Sequence, residues 1–201
     1  MNMHSAGNME LPYRIILASN SPRRRELLGG LGIDFTVKVI DGIDESWPHK
    51  LKGEDIPLYI SCEKAAPYKS IIAPDELVIT ADTIVYVDGE VLGKPHDKAD
   101  AVRMLRLISG RWHEVITGVT LMTAERERSF AVTTRVKFFN LTDSEIEQYV
   151  ESGLPMDKAG AYGIQEWIGY VGVEAIEGSY FNVVGLPVQR LYRELINFFR
   201  Q

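Results

Sequence analysis

Segments with the pattern of strands alternate along this 201-residue chain with segments that have the pattern of helices. Short runs rich in β-branched residues suit buried strands, whereas apolar residues that recur every three to four positions indicate helices. From the N-terminus the order is strand, helix, strand, helix, a strand with a hairpin, helix, two strands, helix, then loops and a last helix. This order predicts an α/β fold with a mixed sheet.

Local signals give approximate bounds for these elements. We expect strands at residues 14–19, 34–40, 76–95 with a hairpin turned by Asp88-Gly89, 114–124 and 129–140. We expect helices from Pro22 to the glycines that follow it, at 56–72 with an interruption near Pro67, at 97–110, at 142–153 and at 188–200. The glycine-punctuated segments 157–165 and 177–187 are expected to be loops.

Length, charge and cysteine content indicate the number of domains, the kinds of partner and the cellular compartment. The length suits one domain, which we place at residues 13–201, after a flexible N-terminal tail at 1–12. That tail has no basic start followed by an apolar run, so we expect neither a signal peptide nor a membrane anchor. The net charge of −6 does not suit a protein that coats nucleic acid or an anionic membrane. Cys62 is the only cysteine, which is consistent with the cytoplasm.

The stretch SNSPRRRELL, residues 20–29, places three arginines where a helix begins. Ser21 suits the N-cap, but the helix dipole disfavours cations in the first turn by roughly 0.3–1 kcal/mol each. Successive helical residues lie about 100° apart, so at most two guanidinium groups converge, and Arg23 and Arg24 are the favoured pair. Together with the Ser19 hydroxyl and free backbone N–H groups they predict a phosphate site. A solvated basic face is the alternative.

Acidic residues at two places could take part in chemistry. Asp82 interrupts the apolar run LVITADTIVYV, where a carboxylate is costly unless it is paired, hydrogen-bonded or bound to a metal. It is either a metal ligand or general base, or the point where one strand ends and Thr83 begins another. The loop DGIDESW offers Asp41, Asp44 and Glu45 to Mg²⁺. Taken alone, this loop is better interpreted as an acidic surface turn.

Further polar residues stand where they could contact a ligand. Lys64 and Lys94 could bind phosphate, although single lysines are usually exposed to solvent. His113 could be a base, although a structural histidine is the better interpretation. Gln165 lies in the first glycine-rich segment, whose backbone could approach a nucleobase, and its amide presents both a donor and an acceptor. The chain has neither GxxxxGK[ST] nor GxGxxG, which disfavours a P-loop or a Rossmann site.

Six blocks, in this order, resemble the Maf family of nucleotide pyrophosphatases. They are LASNSPRRRELL, ADTIV, LGKP, SGRWHEVITG, DKAGAYGIQ and GSYFNVVGLP, and they extend over nearly the whole chain. The resemblance implies a three-layer α/β fold, shared with the inosine triphosphate pyrophosphatases, with two lobes around a cleft. It also implies cleavage of a nucleoside triphosphate between its α and β phosphates, with Mg²⁺, Mn²⁺ or Co²⁺ as the divalent cation.

The same resemblance assigns roles to individual residues. It implies that Asp82 is the proton acceptor that activates water and that Glu45 lies with Asp82 near the metal. It implies phosphate binding by Ser19, Arg23, Arg24, Lys64 and Lys94. The family varies at the position of Arg25, in agreement with the helical geometry above.

Three positions distinguish branches of the family. Members that prefer 7-methyl-GTP carry Trp after Ser-Pro, Gln after the catalytic Asp and Glu in the late glycine-rich block. This chain has Arg23, Thr83 and Gln165 there, a set that resembles the branch acting on dTTP and UTP, including some modified uridine nucleotides. A Gln amide suits a pyrimidine edge, whereas Glu suits the donors of a purine.

The sequence is therefore compatible with two functions. The first is a dTTP/UTP pyrophosphatase, and the second is a non-catalytic, nucleotide-binding regulator of septum formation and cell division. A regulator needs the basic residues but no acidic pair, so Asp82 and Glu45 favour the enzyme. Members of the family often pair, and the amphipathic C-terminal helix could serve a homodimer. We expect no nucleic acid or membrane partner.

Overall fold

The computed structural model describes residues 11–200, so residues 1–10 of the expected N-terminal tail lie outside the described residues. The strands in the described range are β1 (Arg14–Leu17), β2 (Phe35–Val37), β3 (Glu76–Val87), β4 (Glu90–Leu92), β5 (Trp112–Met122), β6 (Glu127–Phe138) and β7 (Val173–Glu177). The α-helices there are α1 (Pro22–Gly29), α2 (Asp55–Ala65), α3 (Lys98–Ile108), α4 (Asp143–Glu151), α5 (Trp167–Gly172), α6 (Tyr180–Val184) and α7 (Val188–Phe199). Short 3-10 helices lie at Ala66–Ser70, Leu154–Asp157 and Ala159–Ala161.

The strands pair into a mixed sheet in the order β2-β1-β3-β5-β6-β7, with β4 paired to β3. Strand β1 is parallel to both of its neighbours, so that Ile15 lies opposite Phe35 on one side and Leu77 on the other. The pairs β3–β4 and β6–β7 are antiparallel. The predicted α/β class with a mixed sheet and helices is confirmed.

The described residues divide into two compact units. Unit 1 consists of the described parts of Met1–Asp82 and Gly185–Gln201 together with Gly118–Val132. Unit 2 consists of Thr83–Thr117 and Thr133–Val184. The prediction of a single domain over residues 13–201 stays a prediction.

Unit 1 has an apolar core to which α1 and α7 contribute one face each. Leu28 of α1 is fully buried, and α7 buries Leu191, Leu195 and Phe198 in the same cluster. The apolar face of α7, which the sequence left available for a homodimer, is therefore used inside unit 1.

Unit 2 has its own core, in which α3 and α4 pack with β5 and β6. Asp97 caps α3, the helix expected at 97–110, by accepting a hydrogen bond from the Asp100 backbone N–H at 2.8 Å, and the apolar face of α3 is buried. The helix α4, expected at 142–153, begins with a capping box formed by Thr142 and Glu145. These helix predictions are confirmed because each rests on interactions within a few residues.

Most of the remaining expectations are confirmed, with two corrections. Asp88 and Gly89 both have positive φ, 50° and 85°, as a type I′ turn requires. Strand β3 runs without a break through Asp82, so the interpretation that one strand ends there is wrong. The expected loops after residue 157 are also only partly right, because α5, β7 and α6 lie there. No helix within residues 11–200 is both long and apolar enough to cross a membrane.

Candidate active site

The junction between β1 and α1 is held by two serine hydroxyls. Ser21 caps α1, with its hydroxyl accepting from the Arg24 backbone N–H at 3.4 Å. The Ser21 backbone N–H in turn donates to the Ser19 hydroxyl at 3.2 Å, and Ser19 is buried. The turn therefore presents the N-terminus of a helix, whose dipole favours an anion.

The three arginines of α1 have different surroundings. Arg24 is half-buried and donates from Nε to the Gly185 carbonyl and from Nη1 to the Ala81 carbonyl, both at 2.9 Å. Arg25 is exposed and donates to the Asn20 side chain at 3.3 Å. The expectation that Arg25 points away from the other two is consistent with this placement. The two carbonyl anchors of Arg24 are a finding that the sequence did not indicate.

The charge of Arg24 is partly desolvated and lies near acidic residues. Desolvation lowers the pKa of Arg24, Asp82 opposes that shift, Arg23 adds to it and Glu45 opposes it again. Arginine nevertheless stays protonated, because its ordinary pKa lies far above neutrality. A fixed positive charge thus lies near the acidic residues of unit 1.

Asp82 lies in the middle of β3, where a carboxylate needs a partner, and Lys64 is that partner. Asp82 is 8% exposed, and Lys64 Nζ lies 2.7 Å from its Oδ1. The same nitrogen lies 3.0 Å from Glu45 Oε1. Lys64 occupies the last turn of α2, so this helix brings one ammonium group to both predicted metal ligands.

The acidic loop separates into one residue that faces the lysine and one that stabilises the loop. The Asp44 carboxylate accepts from the Ser46 backbone N–H at 2.8 Å and from the Ser46 hydroxyl at 2.7 Å. These hydrogen bonds lower the pKa of Asp44 below its ordinary value. Of the three acidic residues in this loop, Glu45 is the one that pairs with Lys64.

The donor set fits a hard divalent cation that also binds substrate. Within residues 11–200 no group of three or more His, Cys, Asp or Glu side chains is arranged to hold a metal ion. Glu45 and Asp82 each place one oxygen within 3.0 Å of Lys64 Nζ, so two hard oxygen donors converge on one positive charge. Mg²⁺ is commonly bound by one or two carboxylates plus substrate phosphates. The pair of Glu45 and Asp82 is compatible with this kind of site.

Thr83 follows Asp82 on β3, so its side chain projects to the opposite face of the sheet. Its hydroxyl lies 2.9 Å from the Thr117 hydroxyl, which donates at 3.3 Å to the carbonyl of Asn182. The Asn182 amide donates at 3.0 Å to the Val115 carbonyl and at 3.0 Å to the Thr134 hydroxyl. This buried polar cluster fixes α6, which belongs to the GSYFNVVGLP block, and the sequence did not identify it.

Lys94 and Gln165 belong to two segments of unit 2 that are hydrogen-bonded to each other. Lys94 is exposed just after β4, and the preceding Gly93 carbonyl accepts from the Gly160 N–H at 3.0 Å. Gln165 is half-buried, and its Oε1 is enclosed without a hydrogen-bond partner among the described residues. A buried acceptor without a partner costs about 1–3 kcal/mol, unless a ligand supplies the donor.

His113 has the structural role that was the better interpretation. It is 3% exposed, and its Nε2 lies 2.7 Å from the Tyr162 hydroxyl. Burial lowers the pKa of His113 to about 3, so the ring is neutral over the physiological range. The ring also packs against Phe138.

Residues 14–198 match the sequence profile of the family described as Maf-like protein. This chain belongs to the Maf family. The six Maf blocks now have defined places. They form the β1–α1 junction, the middle of β3, the turn after β4, the start of β5, the segment before α5, and α6 with its flanking turns.

Curated relatives of this Maf protein match it over most of its length. A dTTP/UTP pyrophosphatase of Phocaeicola vulgatus is 62% identical over 183 residues, which is 91% of this chain and 95% of the relative. Proteins of the same name from Bacteroides thetaiotaomicron and Porphyromonas gingivalis are 57% and 50% identical, over 94% and 92% of this chain and 97% and 94% of their own. Among solved structures, a HAM1 protein from Coxiella burnetii is similar with a TM-score of 0.47 and 14% identity, over 92% of this chain and 99% of its own.

Proposed function

We propose that this Maf protein is a nucleoside triphosphate pyrophosphatase that hydrolyses dTTP and UTP to the monophosphate and pyrophosphate. Relatives that bear the name dTTP/UTP pyrophosphatase, at 50–62% identity over most of the chain, support this activity. The structural observation that carries the proposal is the contact of both Asp82 and Glu45 with the ammonium group of Lys64. A protein that only bound nucleotide would have no need of this acidic pair beside its basic residues.

In the proposed reaction Asp82 is the general base. Asp82 accepts a proton from water, the water oxygen forms a bond to phosphorus, and the anhydride bond to pyrophosphate breaks. The Lys64 ammonium holds the Asp82 carboxylate in one orientation, at 2.7 Å. Positive groups near the phosphates stabilise the charge that develops on them.

A divalent cation, Mg²⁺, Mn²⁺ or Co²⁺, is proposed to bind through Glu45 and Asp82. When bound, it supplies charge neutralisation and orientation of the phosphate oxygens. Ser19, Arg23, Arg24, Lys64 and Lys94 are the proposed phosphate-binding residues. Arg24 is held by backbone carbonyls on two sides, which supports a fixed guanidinium orientation toward an anion.

Selectivity for the base is proposed to depend on Arg23, Thr83 and Gln165. The buried Oε1 of Gln165 suits an N–H donor, and the imide N3–H of uracil or thymine is such a donor. The substrates are free nucleotides, and we propose that the protein acts in the cytoplasm on the nucleotide pool. Pairing into a homodimer stays a prediction that sedimentation can test.

The substitution Asp82→Asn tests the proposal. We expect pyrophosphate release from dTTP and UTP to fall by about 10²–10⁴-fold, the usual contribution of a general base, with an unchanged fold by circular dichroism. Asp88→Asn is the matched control, because Asp88 lies in an exposed turn with positive φ, a conformation that Asn tolerates. Full activity in Asp82→Asn would remove Asp82 from the mechanism. Nucleotide binding without any turnover by the wild type would favour the regulator.

A further inference from the structure

A buried group of charged and polar side chains lies directly beside Gln165 in the chain. The Lys158 ammonium, 6% exposed, lies 2.8 Å from the Glu166 carboxylate and 2.6 Å from that of Asp157. It also donates to the Leu154 carbonyl at 2.6 Å. The second oxygen of Glu166 accepts a hydrogen bond from the Tyr149 hydroxyl on α4. All of these residues belong to unit 2.

Hydrogen bonds from this group hold the backbone on both sides of Gln165. The Gly163 N–H donates to the Tyr149 hydroxyl at 3.0 Å, and the Glu166 N–H donates to the Gly163 carbonyl at 2.9 Å. A Cβ at Gly163 would lie 2.8 Å from both Glu166 Cδ and Lys158 Cε, so a larger residue there would displace the ends of these two side chains. Residues 163 to 166 are therefore fixed at both ends, with Gln165 between them.

Stability alone does not account for this group. Replacing a buried ion pair by well-packed apolar residues is often neutral or stabilising, because desolvation offsets much of the attraction between the charges. Burial and the neighbouring Glu166 raise the pKa of Tyr149, so its hydroxyl keeps the proton that it donates. What the group does fix is the backbone on both sides of Gln165, whose side-chain Oε1 has no hydrogen-bond partner in the described residues.

The orientation of the Gln165 side-chain amide determines whether it pairs with uracil and thymine or with cytosine. A Gln side chain that rotates freely can pair with uracil or, turned over, with cytosine, since both ends of the amide form hydrogen bonds. Uracil and thymine carry an N–H at position 3, whereas cytosine carries an acceptor there. A Gln165 that presents Oε1 to the base would therefore prefer uracil and thymine.

We propose that Lys158, Glu166 and Tyr149 are positioning residues that hold Gln165 in the orientation that selects uracil and thymine over cytosine. The inference rests on the proposed function. It extends that function from a single specificity residue to the group that fixes its orientation.

The test is Tyr149→Phe, which removes one hydroxyl and leaves the ring. We expect the preference for UTP over CTP, measured as the ratio of kcat/KM values, to fall by about tenfold, the effect of roughly 1.4 kcal/mol. We expect KM for UTP to rise and kcat to change by less than about twofold, because a residue that positions the base-binding side chain does not touch the reacting atoms. Glu166→Gln, which keeps an oxygen acceptor, should retain more of the preference than Glu166→Leu.

Tyr162→Phe is the matched control, since Tyr162 is also buried in unit 2 but its hydroxyl bonds His113. It should leave the UTP to CTP ratio unchanged. An unchanged ratio in Tyr149→Phe, an equal fall in kcat for both nucleotides, or a wild type without preference would overturn the inference. Dissociation constants for α,β-methylene UTP and CTP give the same ratio without turnover. A wild type that binds but does not hydrolyse UTP would therefore refute the proposed function and still decide this inference.

Discussion

Adjacent arginines of the candidate site differ in exposure and in their hydrogen-bond partners. Arg24 bonds two backbone carbonyls, one of which belongs to Ala81, the neighbour of Asp82. Its guanidinium therefore couples the start of α1 to the strand that carries the proposed base. Arg25, one position later, is exposed and bonds a side chain of its own loop. Adjacent arginines in a sequence can thus have unrelated roles.

Glu194 is the residue whose protonation should change stability. It is 3% exposed on α7 and pairs with Arg128 of β6 and with Arg190. Desolvation alone would raise the pKa of Glu194, but the two arginines together hold it below the ordinary value of 4.5. A depressed carboxyl pKa contributes stability that is complete above the unfolded-state value and is lost as the pH falls through the folded-state value.

The substitution Glu194→Gln should therefore lower the free energy of unfolding by about 1–2 kcal/mol near pH 7, allowing for the half-exposed arginines. The difference from wild type should shrink as the pH falls from about 4.5 through the lower pKa of the folded state, because the unfolded chain binds the proton first and the folded carboxylate follows. Urea unfolding at a series of pH values measures this. A difference that stays constant with pH would show that Glu194 acts through packing alone.

At the scale of elements, one glycine of β5 allows α2 to pack close against that strand. A Cβ at Gly118 would lie 2.3 Å from the backbone carbon and oxygen of Pro57, near the start of α2. Backbone atoms cannot turn aside as a side chain can, so the helix itself would have to move. Because α2 carries Lys64 in its last turn, such a shift would disturb the pair of carboxylates.

Gly118→Ala is expected to destabilise the protein by about 1–3 kcal/mol, the usual cost of overpacking, and to lower pyrophosphate release. Gly29→Ala is the control, since its new methyl would meet only Phe35 Cε1, at an ordinary 3.9 Å. Thermal unfolding and steady-state rates measure both variants. Equal behaviour of the two would contradict the close approach of α2 and β5.

The elements that the sequence predicted well are those with local signals. The helix α3 has a capping aspartate and an apolar face, and the hairpin after β3 has an Asp-Gly turn, so neighbouring residues determine both. The helices α5 and α6 have six and five residues, too short for a clear period, and were expected to be loops. Their formation depends on contacts from distant parts of the chain, such as those of Asn182 with Val115 and Thr134.

At the scale of the whole molecule, the residue types of the site were more predictable from the sequence than the contacts between them. Motifs identify which residue types stand at each place, and these include Asp82, Lys64 and Glu45. That one ammonium group joins both carboxylates is a long-range contact, and no spacing in the sequence encodes it. The group around Glu166 was missed for the same reason, because Tyr149 and Lys158 look like ordinary helix and surface residues in the sequence.

The central claim is hydrolysis of dTTP and UTP between the α and β phosphates. The most direct measurement is product analysis with the wild-type protein and Mg²⁺, Mn²⁺ or Co²⁺, across a panel that includes dTTP, UTP, CTP and 7-methyl-GTP. We expect dTMP and UMP, each with one equivalent of pyrophosphate, and loss of activity when a chelator removes the cation. Release of inorganic phosphate with a nucleoside diphosphate, or strong turnover of 7-methyl-GTP with little of dTTP and UTP, would contradict the account.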